Sequence, residues 1–210
     1  MELTLPTIIS TISLVVAIAT FFMVQLRPAS ITAYVGPTAS FGYRPEDGGL
    51  SITIPVTFTN HGSRTGAVLR SAITLWRKDW PEERYFMKWY IFVTGDFKTR
   101  QWAIDEMAHA LAIQGKSIQA RTISYAWLDG AKPILFRDAI YCLAFLHWTD
   151  DGKPCHEIHE VPITAEMVAT LAKPVDSTHV RAISVALDKS YKENDLLNTF
   201  AFENLIGKSR

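Results

Sequence analysis

Leu50-Ser51-Ile52-Thr53-Ile54-Pro55-Val56-Thr57-Phe58-Thr59 alternates apolar and polar side chains without a break. Successive residues of a strand point to opposite faces, so Leu50, Ile52, Ile54, Val56 and Phe58 share one face. The stretch reads as a strand with one buried side. Pro55 falls on the polar face and has no N–H, which predicts an edge position or a bulge. Asn60-His61-Gly62 and Gly66 supply turn chemistry. A second alternating run comes next, at Ala67, Leu69, Ser71, Ile73 and Leu75.

Beyond these two runs, further strands are expected at Ile31–Val35, Tyr85–Val93, Ile118–Trp127, Ala139–Thr149 and Cys155–Ile163. Asp150-Asp151-Gly152-Lys153 joins the last two, and Asp-Gly between extended runs signals a hairpin. Two short helices are expected. One lies within Trp102–Ile113; the other starts at Thr164 as N-cap and stops before Pro174. Strands at this spacing, separated by turn signals, predict an all-β sandwich. No internal repeat or low-complexity segment is visible.

On the N-terminal side the pattern changes. Leu3 to Leu26 holds no charged residue, and as a helix it would be about 36 Å long, enough to cross a hydrocarbon core of about 30 Å. Pro6 sits where a first turn tolerates it, and Arg27-Pro28 ends the run. A cleaved signal peptide is the rival reading, because Ala17-Ile18-Ala19 resembles a cleavage site. Thr20 to Val24 continues the apolar run, however, and no basic residue precedes it. A buried soluble helix of this length would show a polar face. The expectation is a single-pass anchor over residues 1–28, a β-sandwich domain over 29–190 and a tail or amphipathic helix over 191–210. That last helix would present Leu196, Leu197, Phe200, Phe202, Leu205 and Ile206.

Glu2 precedes the span while Arg27 and Arg44 come after it, so the positive-inside bias points the domain to the cytoplasmic side of a cell inner membrane. Ser10, Ser13, Ala17 and Thr20 form a stripe of small side chains suited to helix–helix contact with a second copy or another subunit. The plainer reading is that Ser and Thr bond back to their own helix carbonyls.

Charge excludes one class of function. The 21 basic and 21 acidic residues balance and form no block, whereas a nucleic-acid binder needs a basic face. Two cysteines, Cys142 and Cys155, are too few for a disulfide scaffold. Gly115-Lys116-Ser117 and Gly207-Lys208-Ser209 lack the upstream glycine of a phosphate loop, with Ala110 and Phe202 in its place. His156-Glu157-Ile158-His159-Glu160 has its histidines three apart on an expected strand, not four apart on a helix.

A two-residue turn at Asp151-Gly152 would set His147 opposite His156, close enough to share a metal ion; exposed histidines at a hairpin tip are the simpler reading. The same register puts Cys142 opposite Val161 and Cys155 opposite Trp148, too far apart for a disulfide. Asp105 and Glu106 could share a helix face with His109, most simply as a solvated face. Six tryptophans, at 76, 80, 89, 102, 127 and 148, suggest an aromatic core or a partner-facing patch. No catalytic residue, serine-hydrolase elbow or cofactor motif is present.

Val56-Thr57-Phe58-Thr59-Asn60-His61-Gly62 with Gly66-Ala67-Val68, then Gly115-Lys116-Ser117, then Ala139-Ile140-Tyr141 leading to Trp148-Thr149-Asp150-Asp151-Gly152, resembles the strand order of immunoglobulin-like adhesion-type modules. With the anchor ending in Arg27-Pro28-Ala29, the chain resembles small bacterial membrane-anchored proteins of unknown function. The resemblance implies an immunoglobulin-like β-sandwich with one or two short helices and no activity; the inter-sheet disulfide of antibody domains is not evident, and Asp105–Gln114 lies outside a minimal sandwich. Together these features predict a non-enzymatic interaction module. It would meet the lipid bilayer through its N-terminal helix and a protein partner or second copy through its domain, as in an accessory subunit of a membrane assembly. The alternative is a metal- or small-ligand-binding sandwich that uses the hairpin tip. An enzyme would need a deep pocket with converging titratable groups.

Overall fold

In the computed structural model, residues 5–44, 49–96, 101–127, 134–150, 152, 154–173 and 181–187 are described. The apolar N-terminal run is one helix, α1 (Leu5–Gln25), with no residue buried in the chain. It is long and apolar enough to cross a membrane. Eight strands come next: β1 (Ile31–Val35), β2 (Thr38–Arg44), β3 (Gly49–Asn60), β4 (Gly66–Arg77), β5 (Trp80–Asp96), β6 (Gln101–Met107), β7 (Leu111–Ile113) and β8 (Ile118–Trp127). Then come β9 (Ala139–Thr149), β10 (Pro154–Ile163), the short helix α2 (Ala165–Ala172) and β11 (Arg181–Ala186). The C-terminal helix expected after residue 191 lies outside the described residues.

Every strand pair is antiparallel, in the order β10-β9-β4-β5-β8-β3-β2-β11, with β1 added to β3, β6 to β5 and β7 to β4. The two ends of this path, β10 and β11, come back into contact, so the sheet curls into a sandwich-like half-barrel. Its interior is lined by the face that the alternation predicts. Ile52, Ile54 and Phe58 of β3 are fully buried, with Phe41, Ile73, Leu75, Phe92, Ile123 and Leu143 around them. Each such side chain contributes roughly 1.5–3 kcal/mol by leaving water. α2 packs against this core through buried Leu171 and part-buried Met167 and Val168. Thr164 is its N-cap, accepting the Met167 N–H at 3.3 Å.

Pro55 is neither at an edge nor in a bulge. β3 runs in unbroken register with β8 through the Pro55–Thr122 pair. On its other side β2 pairs only as far as Thr53, and β1 begins at Val56. A residue's N–H and C=O face the same neighbour in an antiparallel ladder, and Pro55 O accepts the Gly36 N–H at 2.8 Å. The missing N–H therefore falls in the gap between the two strands. Gly36 crosses there so closely that a Cβ would overlap the proline ring.

The helix expected within Trp102–Ile113 does not form; that stretch holds β6 and β7. β4 pairs with β5 only up to Lys88, which leaves the Ile91–Asp96 edge of β5 open, and β6 folds back to fill it. β7 then turns Leu111 and Ile113 inward and Ala112 out. A demand for backbone partners overrode the local i+3/i+4 spacing.

A second apolar cluster lies on the opposite face of the sheet: Ala72, Trp76, Cys142, Ala144, Leu146 and Trp148, flanked by Phe86 and Ile158. β9 is thus buried on both faces, which is why its sequence is continuously apolar where β3 alternates. Charged side chains roof this face. Arg70 lies 4.4 Å from the Trp148 ring centre, Arg84 lies 5.6 Å from that of Trp76, and Lys78 bonds Glu160 at 2.7 Å.

Candidate functional site: a clasp and a cleft at opposite ends

β3 runs from Gly49 to Asn60 and β4 from Gly66 back to Arg77, so the half-barrel has an end next to α1 and a far end. At the α1 end, Asn60 is 1 % exposed and uses its whole amide. Its Oδ1 accepts the N–H groups of Ser30 (3.1 Å) and Gly62 (2.9 Å), and its Nδ2 donates to the carbonyls of Arg64 (2.8 Å) and Ile113 (3.1 Å). One side chain therefore ties the segment after α1 to the β3–β4 turn and to β7.

The turn grips the helix end as well. Ser63 N and Arg64 N donate to Arg27 O at 3.0 and 3.2 Å, and Ser63 Oγ donates to the Val24 carbonyl in the last turn of α1. That satisfies one of the carbonyls a helix leaves unpaired at its C-terminus. A Cβ on Gly62 would overlap Pro28, and one on Gly115 would overlap Ser63. Asn60→Ala is expected to lower stability by about 2–3 kcal/mol, since buried backbone groups lose their partners. Thermal melts of the whole chain in detergent check it; a shift within error would mean that water replaces the amide.

The expected histidine pair is displaced by one residue. His156 stands opposite Leu146, and His147 opposite Cys155, so the two imidazoles lie on opposite faces. The turn is longer than two residues, with Gly152 at φ +74° and its N–H donating to Thr149 O at 3.0 Å. His147 is buried against the rings of Phe58 and Phe145, 6.1 and 5.8 Å away. His159 is also buried, with Nε2 3.7 Å from Glu157. Among the described residues no three His, Cys, Asp or Glu side chains are arranged to hold a metal ion.

The cysteine register shifts in the same way: Cys142 faces Glu160, and no disulfide joins the two thiols. Burial, aided by Glu160, pushes the Cys142 thiol up to about 11. A maleimide at pH 7.5 should label one thiol per chain in the native protein, the exposed Cys155, and two after denaturation. Native labelling of Cys142 would mean that the second apolar cluster opens readily.

Ser10, Ser13, Ala17 and Thr20 all lie on exposed α1. Thr20 Oγ1 donates back to Val16 O at 2.8 Å, the back-bonded state that is the plainer of the two readings of the stripe. Asp105, Glu106 and His109 sit around β6 in extended chain. Glu106 lies 4.0 Å from both His109 and Arg121, half exposed.

At the far end lies a feature that no sequence pattern signals, a cleft of about 630 Å³ lined by Arg77, Trp80, Glu82, Glu83 and Tyr85 on one side. Ile134, Leu135, Arg137 and Tyr141 line the other. The second wall is stapled to the barrel mouth. Tyr43 OH donates to Ile134 O at 2.6 Å, Arg137 N–H donates to Tyr141 OH at 3.0 Å, and Phe136 stacks edge-on with Tyr43 and Tyr141, both at 5.5 Å. Arg77 makes a two-pronged bond to Asp79 at 2.8 and 3.0 Å, which holds the Asp79 carboxyl below its usual range. Burial raises the Tyr85 and Tyr141 hydroxyls, so both stay protonated at neutral pH.

Trp80 and Leu135 are 53 % and 68 % exposed at the rim. The lining offers guanidiniums, carboxylates, phenols and apolar surface, and no histidine, cysteine or serine. Such a surface offers charged, phenolic and apolar groups to a ligand or partner.

No known protein family and no curated protein matches the chain. Among solved structures, a candidate ApaA protein from Bordetella pertussis is similar at 12 % identity and a TM-score of 0.32, over 76 % of this chain and 95 % of that one. A FixG-related protein from Vibrio parahaemolyticus is similar at 8 % identity and a TM-score of 0.33, over 63 % and 94 %. A β-sandwich protein of Clostridium difficile gives 14 % identity and a TM-score of 0.29, over 64 % and 90 %. These likenesses are to bacterial proteins and carry no activity to this chain.

Proposed function

We propose that this protein is a membrane-tethered, non-enzymatic binding module that holds its far-end cleft out toward a protein partner. The observation that carries the reading is the placement of anchor and cleft at opposite ends of β4. Gly66 packs beside Ala29 below α1, and Arg77 lines the cleft. Along a strand of this length the two are about 36 Å apart. The exposed Trp80 and Leu135 supply the aromatic and aliphatic anchors of an interface, and Arg77, Arg137, Glu82 and Glu83 supply a charged rim that sets register. The domain faces the cytoplasm from the inner membrane, as the basic flank of the span favours.

The test is site-specific photocross-linking from position 80 in cells at native expression, with position 34 on β1 as control. One recurrent protein adduct from position 80, lost in Leu135→Asp, is expected. No adduct, together with a detergent-extracted protein that runs alone as a monomer, would remove the binding role. An alkaline phosphatase fusion after Arg210 that is active in bacteria would reverse the orientation.

A further inference from the structure

We infer that Arg27, Arg64 and Lys116 form a collar that binds the headgroups of anionic phospholipid around the end of α1. The inference rests on the proposed tether. α1 spans 21 residues, about 31 Å at 1.5 Å per residue, which matches a hydrocarbon core of about 30 Å. Gln25 then stands at the edge of the hydrocarbon, and whatever is fastened to the next two residues lies at phosphate depth.

The fold fastens two distant turns there. Ser63 and Arg64 donate their amide N–H groups to Arg27 O. Lys116 donates its N–H to Gly62 O at 2.8 Å and is held at φ 54°, in the left-handed turn just after Gly115. The contacts at Gly62 and Gly115 leave no slack between turn, turn and linker. The two cations therefore cannot swing away from the helix end.

Arg27, Arg64 and Lys116 are all exposed, and none stands in an ion pair among the described residues. Ile118, two residues beyond Lys116, is 70 % exposed; an apolar side chain beside exposed cations is suited to the boundary between acyl chains and headgroups. Of the other described titratable groups at this end, His61 is exposed and Asp150 brings one negative charge near Gly66. Among the described residues the collar keeps a positive excess. By sequence distance Arg44 would have been counted with it, but Arg44 pairs with Gly49 at the far end.

Each cation at an anionic surface should favour binding by about fivefold, so Arg64 and Lys116 together by roughly thirtyfold. The whole chain is placed in nanodiscs of phosphatidylcholine with one-fifth phosphatidylglycerol, and the lipids it retains are counted by native mass spectrometry. The wild type should keep phosphatidylglycerol at several times its bulk share. Arg64→Gln with Lys116→Gln should bring the ratio most of the way to bulk, leaving only the share of Arg27, with unchanged melting, while Arg44→Gln with Arg137→Gln at the far end should leave it high. Retention at the bulk ratio in wild type, or equal loss with the far-end pair, would overturn the collar. Alkaline carbonate extraction of membranes separates the two readings. A chain that resists extraction but shows no lipid preference keeps its tether and loses the collar; a chain that is released loses both.

Discussion

Val15→Arg combined with Ile18→Arg should move the protein from the membrane fraction to the soluble or aggregated one. Both positions lie mid-way along α1, exposed on a helix that the domain does not cover. A single arginine at the centre of a spanning helix disfavours insertion by about 2.5–3.5 kcal/mol, so the pair opposes it by about 6 kcal/mol. Snorkelling cannot rescue either side chain, because neither end of the helix is within reach. The domain core contains no α1 residue, so its folding should be unaffected. Fractionation with carbonate washing reads the outcome. A double variant that remains carbonate-resistant would mean that α1 is not what holds this protein to a membrane.

Trp76→Ala should destabilise the domain by about 4 kcal/mol. Trp76 is 2 % exposed and belongs to the outer cluster, not to the barrel interior. Removing a buried tryptophan forfeits its transfer free energy and leaves a cavity, about 3–5 kcal/mol together. Its roof would be stranded as well. Arg84, whose pKa burial lowers, lies over that ring and would lose its π partner. For a domain of this size each kcal/mol lowers the melting temperature by roughly 2–4 °C, so a fall of about 10 °C is expected by circular dichroism. Trp80→Ala, at the exposed rim of the cleft, serves as control and should shift it by no more than about 2 °C. Equal effects from the two would mean that the outer face is a loosely covered surface and not a second core.

Several elements are legible because their signal is local. The strands at Ile31–Val35, Ile118–Trp127 and Ala139–Thr149 have the bounds their alternation or apolar run predicts, and Thr164 caps α2 through its own hydroxyl. β2 and β11 escape such a reading, although Ala39, Phe41 and Tyr43, and Ile183 and Val185, do alternate. Such short runs, one of them broken by Gly42, also fit irregular chain until a neighbouring strand supplies their ladder bonds. The β9–β10 register differs by one residue from the expected one because the turn around Gly152 is longer than a two-residue loop. That single step moves His156 to the other face.

Periodicity and hydropathy are properties of consecutive residues, so they suffice for the apolar span, the mainly β character of the chain beyond it and the inner face of β3. Three other features exist only in the folded chain. Pro55 fits a central strand because two short strands leave a gap beside it. Gln101–Met107 became a strand because β5 had an open edge to fill, and Leu111–Ile113 became one beside β4. Arg64 and Lys116, far apart in the chain, meet Arg27 at the end of α1, while Arg77 and Arg137 face one cleft at the other end. Each depends on which backbone groups and side chains lack partners once the sheet has curled, and that is fixed by long-range pairing that no local pattern encodes.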